Sequence, residues 1–411
     1  MNNYPSPKQI DMGCVPIVTR MMTNGVRLNL DHFSNMSKRY HERLIIIQEE
    51  MDSLCGHHLN ASSPDQVLQW MELNKVQDRE GKKPISADTE TIAPIAIDYP
   101  VLRLIMEYRK LHKLLGTYVD KFPKLVDVNG RLHTNYSITS TDTYRLASHN
   151  CNLQNVSKRT KEGLDVRRGF IPRDGYTFVK RDYSAQELRW LANLSGDSTM
   201  LNTYRTGGDL HLETEKAIFG TSDGSNRNPS KSINFGTVYG ISGDGLWHQF
   251  LIMGVGQYSK FDCQNMLDRW FMKYPGVYYF MEDCRARAMR DGYVTDYFGY
   301  KCYVPEVHSY HKDIAERGLR QACNFLIQCP SAAQTKLAMR SWLDVIDEIR
   351  GWEPLLQIHD EFISEVPDDG IEEADSILRY VMNDAVTGLS LKFDSEGGAG
   401  ANWADMIKLK G

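Results

Sequence analysis

The chain has 411 residues, 41% of them hydrophobic and 25% charged, which excludes a disordered chain and supplies enough length for a large core with two or three subdomains. Eight cysteines are scattered without a CxxC pair, excluding a disulfide scaffold and a zinc ribbon, and no apolar run has the pattern of a leader or the length of a membrane span. The net charge of −5 hides a layout: residues 101–190 carry 17 Lys/Arg against 9 Asp/Glu, and residues 341–411 carry 5 against 16. A phosphate-binding surface beside a cation-binding one produces such asymmetry, and so do solvated charged faces. The expectation is a soluble protein with reduced thiols, in a cytoplasmic setting.

Residues 31–55 and 97–119 place apolar side chains at helical spacing, which predicts two long helices. The polar stretch between them carries turn signals and a basic GKK, which predicts short helices and a mobile tip. Residues 130–182 turn rich in β-branched and aromatic types and predict strands. From AQELRWLANLSGD to TKLAMRSWLDVIDEIRGW the chain is mainly helical, broken by the turn-rich DGYVTDYFGYKCYVPEV. Then come the strand-like LLQIHDEFISEVP, a helix through GIEEADSILRYVMNDAVTG and a last strand-like LSLKFDSEGG. The plan is a helical arm, a mixed sheet split in sequence, and a helical insertion between its halves.

Two carboxylates stand out. Asp182 closes a strand-like run immediately before a helical pattern, a position that projects into a ligand crevice and would also suit a plain helix cap. Asp360 sits within QIHDEF, between two short apolar runs, where an ionised group needs a hairpin tip or a cationic partner. Held together, the two acids would share divalent cations in a two-metal phosphoryl-transfer site. In RNPSKSINFGTVYG, Arg227, Lys231, Phe235 and Tyr239 recur every four residues and fall on one slowly turning helical stripe. Cations followed by aromatics suit a nucleotide, phosphates first and then sugar and base. Pro229 is tolerable only in a first turn, which sets Arg227 near the helix start.

The segments DYSAQELR, RNPSKSINFGTVYG and QIHDEF resemble, in order and spacing, motifs A, B and C of family A DNA polymerases, the class of bacterial DNA polymerase I. The resemblance extends to TDTYRLASHNCNLQN, GGDLHLETEKAIFG, GYVTDYFGYKCYVP and RQACNFLIQCPSAAQ, so it spans nearly the whole chain. It implies an α+β right-hand fold with an antiparallel-sheet palm, helical fingers and a helical thumb. The divisions it implies are an N-terminal palm segment at 1–30, thumb at 31–129, palm at 130–207, fingers at 208–320 and palm again at 321–411.

By the same resemblance Asp182, Asp360 and the backbone of Tyr183 hold two Mg²⁺ ions, for which Mn²⁺ can substitute, and Glu361 stands close by in a lesser catalytic role. Lys231, Arg227 and His211 meet the triphosphate, Lys231 also acting on the leaving pyrophosphate. Glu187 resembles the gate against a 2′-hydroxyl, Phe235 lies on the deoxyribose and Tyr239 stands at the templating position. Arg145, Asn152, Gln154, Asn155, Asn324, Gln328 and His359 follow the minor groove and primer end, where contacts sense pair geometry and not sequence. Asn60, Ser62, Arg109, Lys113 and Tyr118 are candidates for phosphate contact from the thumb.

Tyr144, Cys151, Ala185 and Leu326 depart from the family pattern, and the basic pair Lys180–Arg181 before the acid is unusual in it. The implied activity is extension of a DNA primer on primer-template DNA from dNTPs, in replication or repair, by a monomer in a bacterial or phage-infected cell. No room remains for a proofreading domain, so the chain is expected to be trimmed or naturally minimal, with any exonuclease or processivity factor separate. A single-subunit RNA polymerase and a catalytically dead DNA-binding subunit are the competing readings.

Overall fold

The computed structural model describes residues 4–349 and 351–409. Its centre is a five-stranded sheet in the order Ile407–Lys408, Ser395–Gly400, Tyr176–Tyr183, Glu361–Pro367, Glu353–Ile358. Every pairing is antiparallel, where the sequence suggests a mixed sheet. Two features of the chain account for this. A two-residue turn joins Glu353–Ile358 to Glu361–Pro367, which forces antiparallel pairing. The helix Ile371–Asn383 then carries the chain over the central strand to its far edge, a split βαβ unit in which the two flanking strands run alike and the one between them runs oppositely.

One sheet face packs on Pro7–Asn24, the 37-residue helix Lys312–Glu348 and Ile371–Asn383, with Val179, Phe362, Trp342 and Leu378 in that core. The long helix is apolar around most of its circumference, as a helix buried between layers must be. The other face, with Phe178, Leu355 and Ile363, packs on Phe170, Leu153, Trp403 and the inner end of the helical arm. The arm consists of Leu30–Cys55 against Pro100–Leu114, the latter running on through a π turn at Leu115–Val119, close to the bounds read from periodicity. Its outer end has its own small core around Trp70, Ile92 and Ile105. At the tip Glu80 takes an ion pair from Lys260 of the helical insertion, so arm and insertion touch across the open side of the molecule.

The 130–149 region forms only short strands, Arg131–Leu132, Asn135–Ser137 and Ala147–His149, none of them in the central sheet. No described helix is long and apolar enough to cross a membrane.

Candidate active site

The central strand buries Phe178, Val179, Arg181 and Tyr183, and its C-terminal end opens into a cleft of about 950 Å³. Asp182 lines that cleft. It does not cap the following helix, which begins at Gln186 with Ala185 in the left-handed region as its cap. The hairpin tip beside it is the pair His359–Asp360, with His359 at φ +59°, the positive value that such a tight turn demands. The Tyr183 amide donates to the Asp360 carbonyl at 3.2 Å, which fixes the tip against the end of the central strand. The Tyr183 phenol turns away into the core and donates to the Met382 carbonyl.

The two acids therefore share one corner. Burial, and then the charge of Asp182, push the Asp360 carboxyl up to about 7. Asp182 Oδ1 is buried and accepts no hydrogen bond among the described residues, while Oδ2 accepts from Lys158 Nζ at 2.9 Å. A corner that strains to hold two negative charges, with an oxygen left unbonded, fits a divalent cation. No group of three or more His, Cys, Asp or Glu side chains forms a metal cluster among the described residues. That donor set suits Mg²⁺, which takes one or two carboxylates and fills its shell with water and phosphate oxygens, and does not suit tetrahedral zinc.

Glu361 is the register partner of Asp182, so two like charges start opposite each other on neighbouring strands. Its carboxylate leans back along the strand instead, accepting from Lys180 Nζ at 2.9 Å and Trp403 Nε1 at 3.3 Å, and it is 2% exposed. It does not line the cleft. Glu361, expected close by in a lesser role, thus forms a buried ion pair beside the corner and leaves the cleft itself to Asp182 and Asp360. Lys180, unexplained by pattern, is its counter-ion. Arg181 points to the opposite face and is wholly buried against Asp375 at 2.6 Å.

Across the cleft runs the helix Arg227–Val238, with Pro229 in its first turn and Tyr239 at its end. Arg227, Lys231, Phe235 and Tyr239 all line the cleft, as their four-residue spacing predicts. Burial lowers the Lys231 ammonium, and Arg159, Arg227 and Lys158 lower it further while Asp182 opposes them, the signature of several cations facing one space. Arg227 is meanwhile held by Asp209 at 2.7 Å. Glu187 bridges the two walls, accepting from Arg145 on one side and the Tyr239 hydroxyl on the other. His211 lines the cleft beside Phe235, and burial first of all pushes its imidazole down to about 4.

The model of DNA polymerase family A matches residues 30–405. The chain belongs to DNA polymerase family A. It is 32% identical to DNA polymerase I of Pseudomonas aeruginosa over 406 residues, covering 96% of this chain and 44% of that protein. It is 33% identical to the thermostable DNA polymerase I of Thermus aquaticus over 408 residues, covering 96% and 48%. The chain thus spans about half the length of these curated relatives. Among solved structures, the POL domain of Pol1 from M. smegmatis, in complex with DNA primer-template and dNTP, superposes with a TM-score of 0.89 at 26% identity, covering 96% of this chain and 70% of that one. The right-hand fold expected from the motifs is therefore the fold of this family A chain.

The minor-groove and thumb candidates are dispersed. Arg145 and His359 line the cleft. Gln154 is buried and donates to Gln357, so it supports the hairpin from below. Asn152 accepts from Ser148 Oγ, Asn155 is exposed with its carbonyl taken by Tyr118, and Gln328 lies near the Tyr239 hydroxyl. Asn324 Oδ1 is buried without a hydrogen bond among the described residues. In the arm, Lys113 is exposed, and Ser62 donates its amide to Asn60 Oδ1 in an exposed turn. Arg109 is not directed at solvent: it donates to the Ala61 and Ala87 carbonyls, so its expected phosphate contact is corrected to a brace of the arm's loop.

The departures from the family pattern have local explanations. Tyr144 adopts φ +57° and packs its ring 4.6 Å from that of Tyr300 and 6.3 Å from Phe325. Cys151 and Leu326 are buried core residues. The residues sequence reasoning missed are Lys158 and Arg159, which line the cleft from a loop, and Asp209, which holds Arg227. The positive charge of residues 101–190 was their only trace in the sequence.

Proposed function

We propose that this family A chain is a template-directed DNA polymerase that adds deoxynucleotides to the 3′ end of a primer by two-metal phosphoryl transfer. The observation that carries the reading is one juxtaposition: Asp182 and Asp360 meet at the mouth of the same cleft whose opposite wall presents Arg227, Lys231, Phe235 and Tyr239. A triphosphate between those walls has acids on one side and cations on the other. The relative solved with primer-template and dNTP supports the choice of ligands.

Asp182 and Asp360 would hold the divalent ions, with the Tyr183 backbone beside them. When bound, such ions neutralise phosphate charge and make the primer hydroxyl a better nucleophile. Lys231 and Arg227 bind the outgoing phosphates, so charge that builds on the leaving group meets fixed cations in place of reorganising water. Phe235 supports the sugar, and the Arg145–Glu187–Tyr239 bridge closes the space beside it. A rigid carboxylate there disfavours an extra 2′-hydroxyl, which is why deoxynucleotides are favoured over the RNA-polymerase reading. Asn152, Asn155, Asn324, Gln328 and His359 flank the primer-template path, and the arm, with Asn60, Ser62, Lys113 and Tyr118, acts as the thumb.

Extension of a primed DNA template with Mg²⁺ and dNTPs tests the proposal, run beside ribonucleotides and a metal-free control. Metal-dependent addition of dNMP, with ribonucleotides strongly disfavoured, is expected. Duplex binding without any extension would instead favour a DNA-binding subunit.

A further inference from the structure

A buried polar chain lies behind His211 and sets which of its nitrogens carries the proton. Trp270 Nε1 lies 2.6 Å from Asn234 Oδ1, and Thr214 Oγ1 lies 2.8 Å from the same oxygen. An indole N–H only donates, so it fixes the orientation of the Asn234 amide, with oxygen toward Trp270 and NH₂ toward His211. The amide nitrogen stands 2.8 Å from His211 Nδ1. An amide NH₂ also only donates, so Nδ1 must accept. Tyr274, 3.0 Å from Thr214 Oγ1, completes the chain of donors. Trp270, Tyr274, Asn234 and Thr214 are all fully buried, so none of these bonds exchanges with water.

We infer that Asn234 is a positioning residue which, read from Trp270, holds His211 as the neutral Nε2–H tautomer and so presents a hydrogen-bond donor to the triphosphate of the incoming nucleotide. Nε2 lies on the far side of the ring from Asn234, and the ring lines the cleft together with Arg227 and Lys231. The opposite tautomer would aim a lone pair at phosphate oxygen, an acceptor facing an acceptor. Asp209 favours the imidazolium while burial, Arg227 and Lys231 oppose it, which leaves the neutral ring as the species whose tautomer matters. The inference rests on the proposed function only for the identity of the ligand.

Selective ¹⁵N-histidine labelling of the whole chain tests it, with the His211 signals assigned by His211→Gln. The wild type is expected to show a protonated Nε2 and an unprotonated Nδ1 before any nucleotide is added. Asn234→Asp offers only acceptors, so Nδ1 is expected to gain the proton. The KM for dNTP should then rise about tenfold, with primer-template affinity within about twofold of wild type, a split that general unfolding does not give. A wild-type Nδ1–H tautomer in an enzyme that extends primers overturns this inference and leaves the function standing. The expected tautomer in a protein that neither extends primers nor shifts its His211 signals with dNTP overturns the function, and with it the ligand assigned to Nε2.

Discussion

Arg181 Nη1 lies 2.6 Å from Asp375 Oδ1, joining the central strand to the helix Ile371–Asn383 with both side chains almost wholly removed from solvent. The guanidinium also donates to Ser395 Oγ and to the Asp375 and Ser395 carbonyls. Breaking such a pair leaves a buried charge uncompensated, which costs about 3–5 kcal/mol. Arg181→Ala and Asp375→Ala are each expected to lower unfolding free energy by that order in a denaturant titration. Gly397→Ala should also destabilise while leaving both charged residues in the sequence, because a Cβ there would collide with the Asp375 carboxylate and crowd Arg181 Nη1.

Asp182→Asn and Asp360→Asn are each expected to reduce the extension rate at least about a thousandfold, since each removes a negative ligand from the corner where phosphate charge must be offset. Duplex affinity, measured by fluorescence anisotropy, should stay within a fewfold of wild type. Full activity in either variant would sink the metal assignment.

Lys158 occupies the position a cation would take against Asp182. Its ammonium would compete with a divalent ion for the Asp182 carboxylate, so Lys158→Gln should bind Mn²⁺ about fivefold more tightly by electron paramagnetic resonance, in keeping with the modest worth of a half-exposed pair. Unchanged or weaker Mn²⁺ binding counts against displacement.

In the proposed function Phe235, which lines the cleft, would offer an aromatic face to the sugar and no hydroxyl. The wild type is therefore expected to discriminate against dideoxynucleotides, read as chain termination in a mixture of the two substrate types. Equal use of both contradicts the placement of Phe235.

Asp296, in the turn Asp296–Gly299, is pushed up to about 6, mainly by burial, although the Phe298 and Tyr300 amides donate to it. The folded state thus binds the proton more tightly than the unfolded chain, so stability is fully present below about pH 4 at this site and is lost as pH rises through about 6. Asp296→Asn keeps the acceptor and removes the ionisation. It should raise stability at pH 7.5 by roughly 2–3 kcal/mol and change little at pH 4, as followed by thermal unfolding.

The site was legible in the sequence where chemistry coincided with period. The four-residue stripe of the Arg227 helix and the strand-end position of Asp182 are local patterns, and local geometry carried them into the cleft. The partner of Glu361 was not legible, because period two gives the face of a strand and not the lean of a long side chain toward Lys180. Arg109 was misread because its two carbonyl partners, Ala61 and Ala87, bear no side-chain signal. Arg181 was opaque for a different reason: a buried guanidinium needs a partner, and Asp375 stands 194 positions away. Lys158 lies in a loop where no periodicity applies.

Both neighbours of the strand Tyr176–Tyr183 come from residues 361–400, and every segment of the helical insertion is made in between. During synthesis, which runs from the N-terminus, this strand, with Phe178 and Val179 among its residues, emerges with two bare edges and must wait until Glu361, about 178 residues after Tyr183, before either is paired. An unpaired strand edge is a template for joining another chain. The price of assembling the acids from distant strands therefore falls on the nascent polypeptide, for which the interval between strand and hairpin is the period of greatest exposure to aggregation.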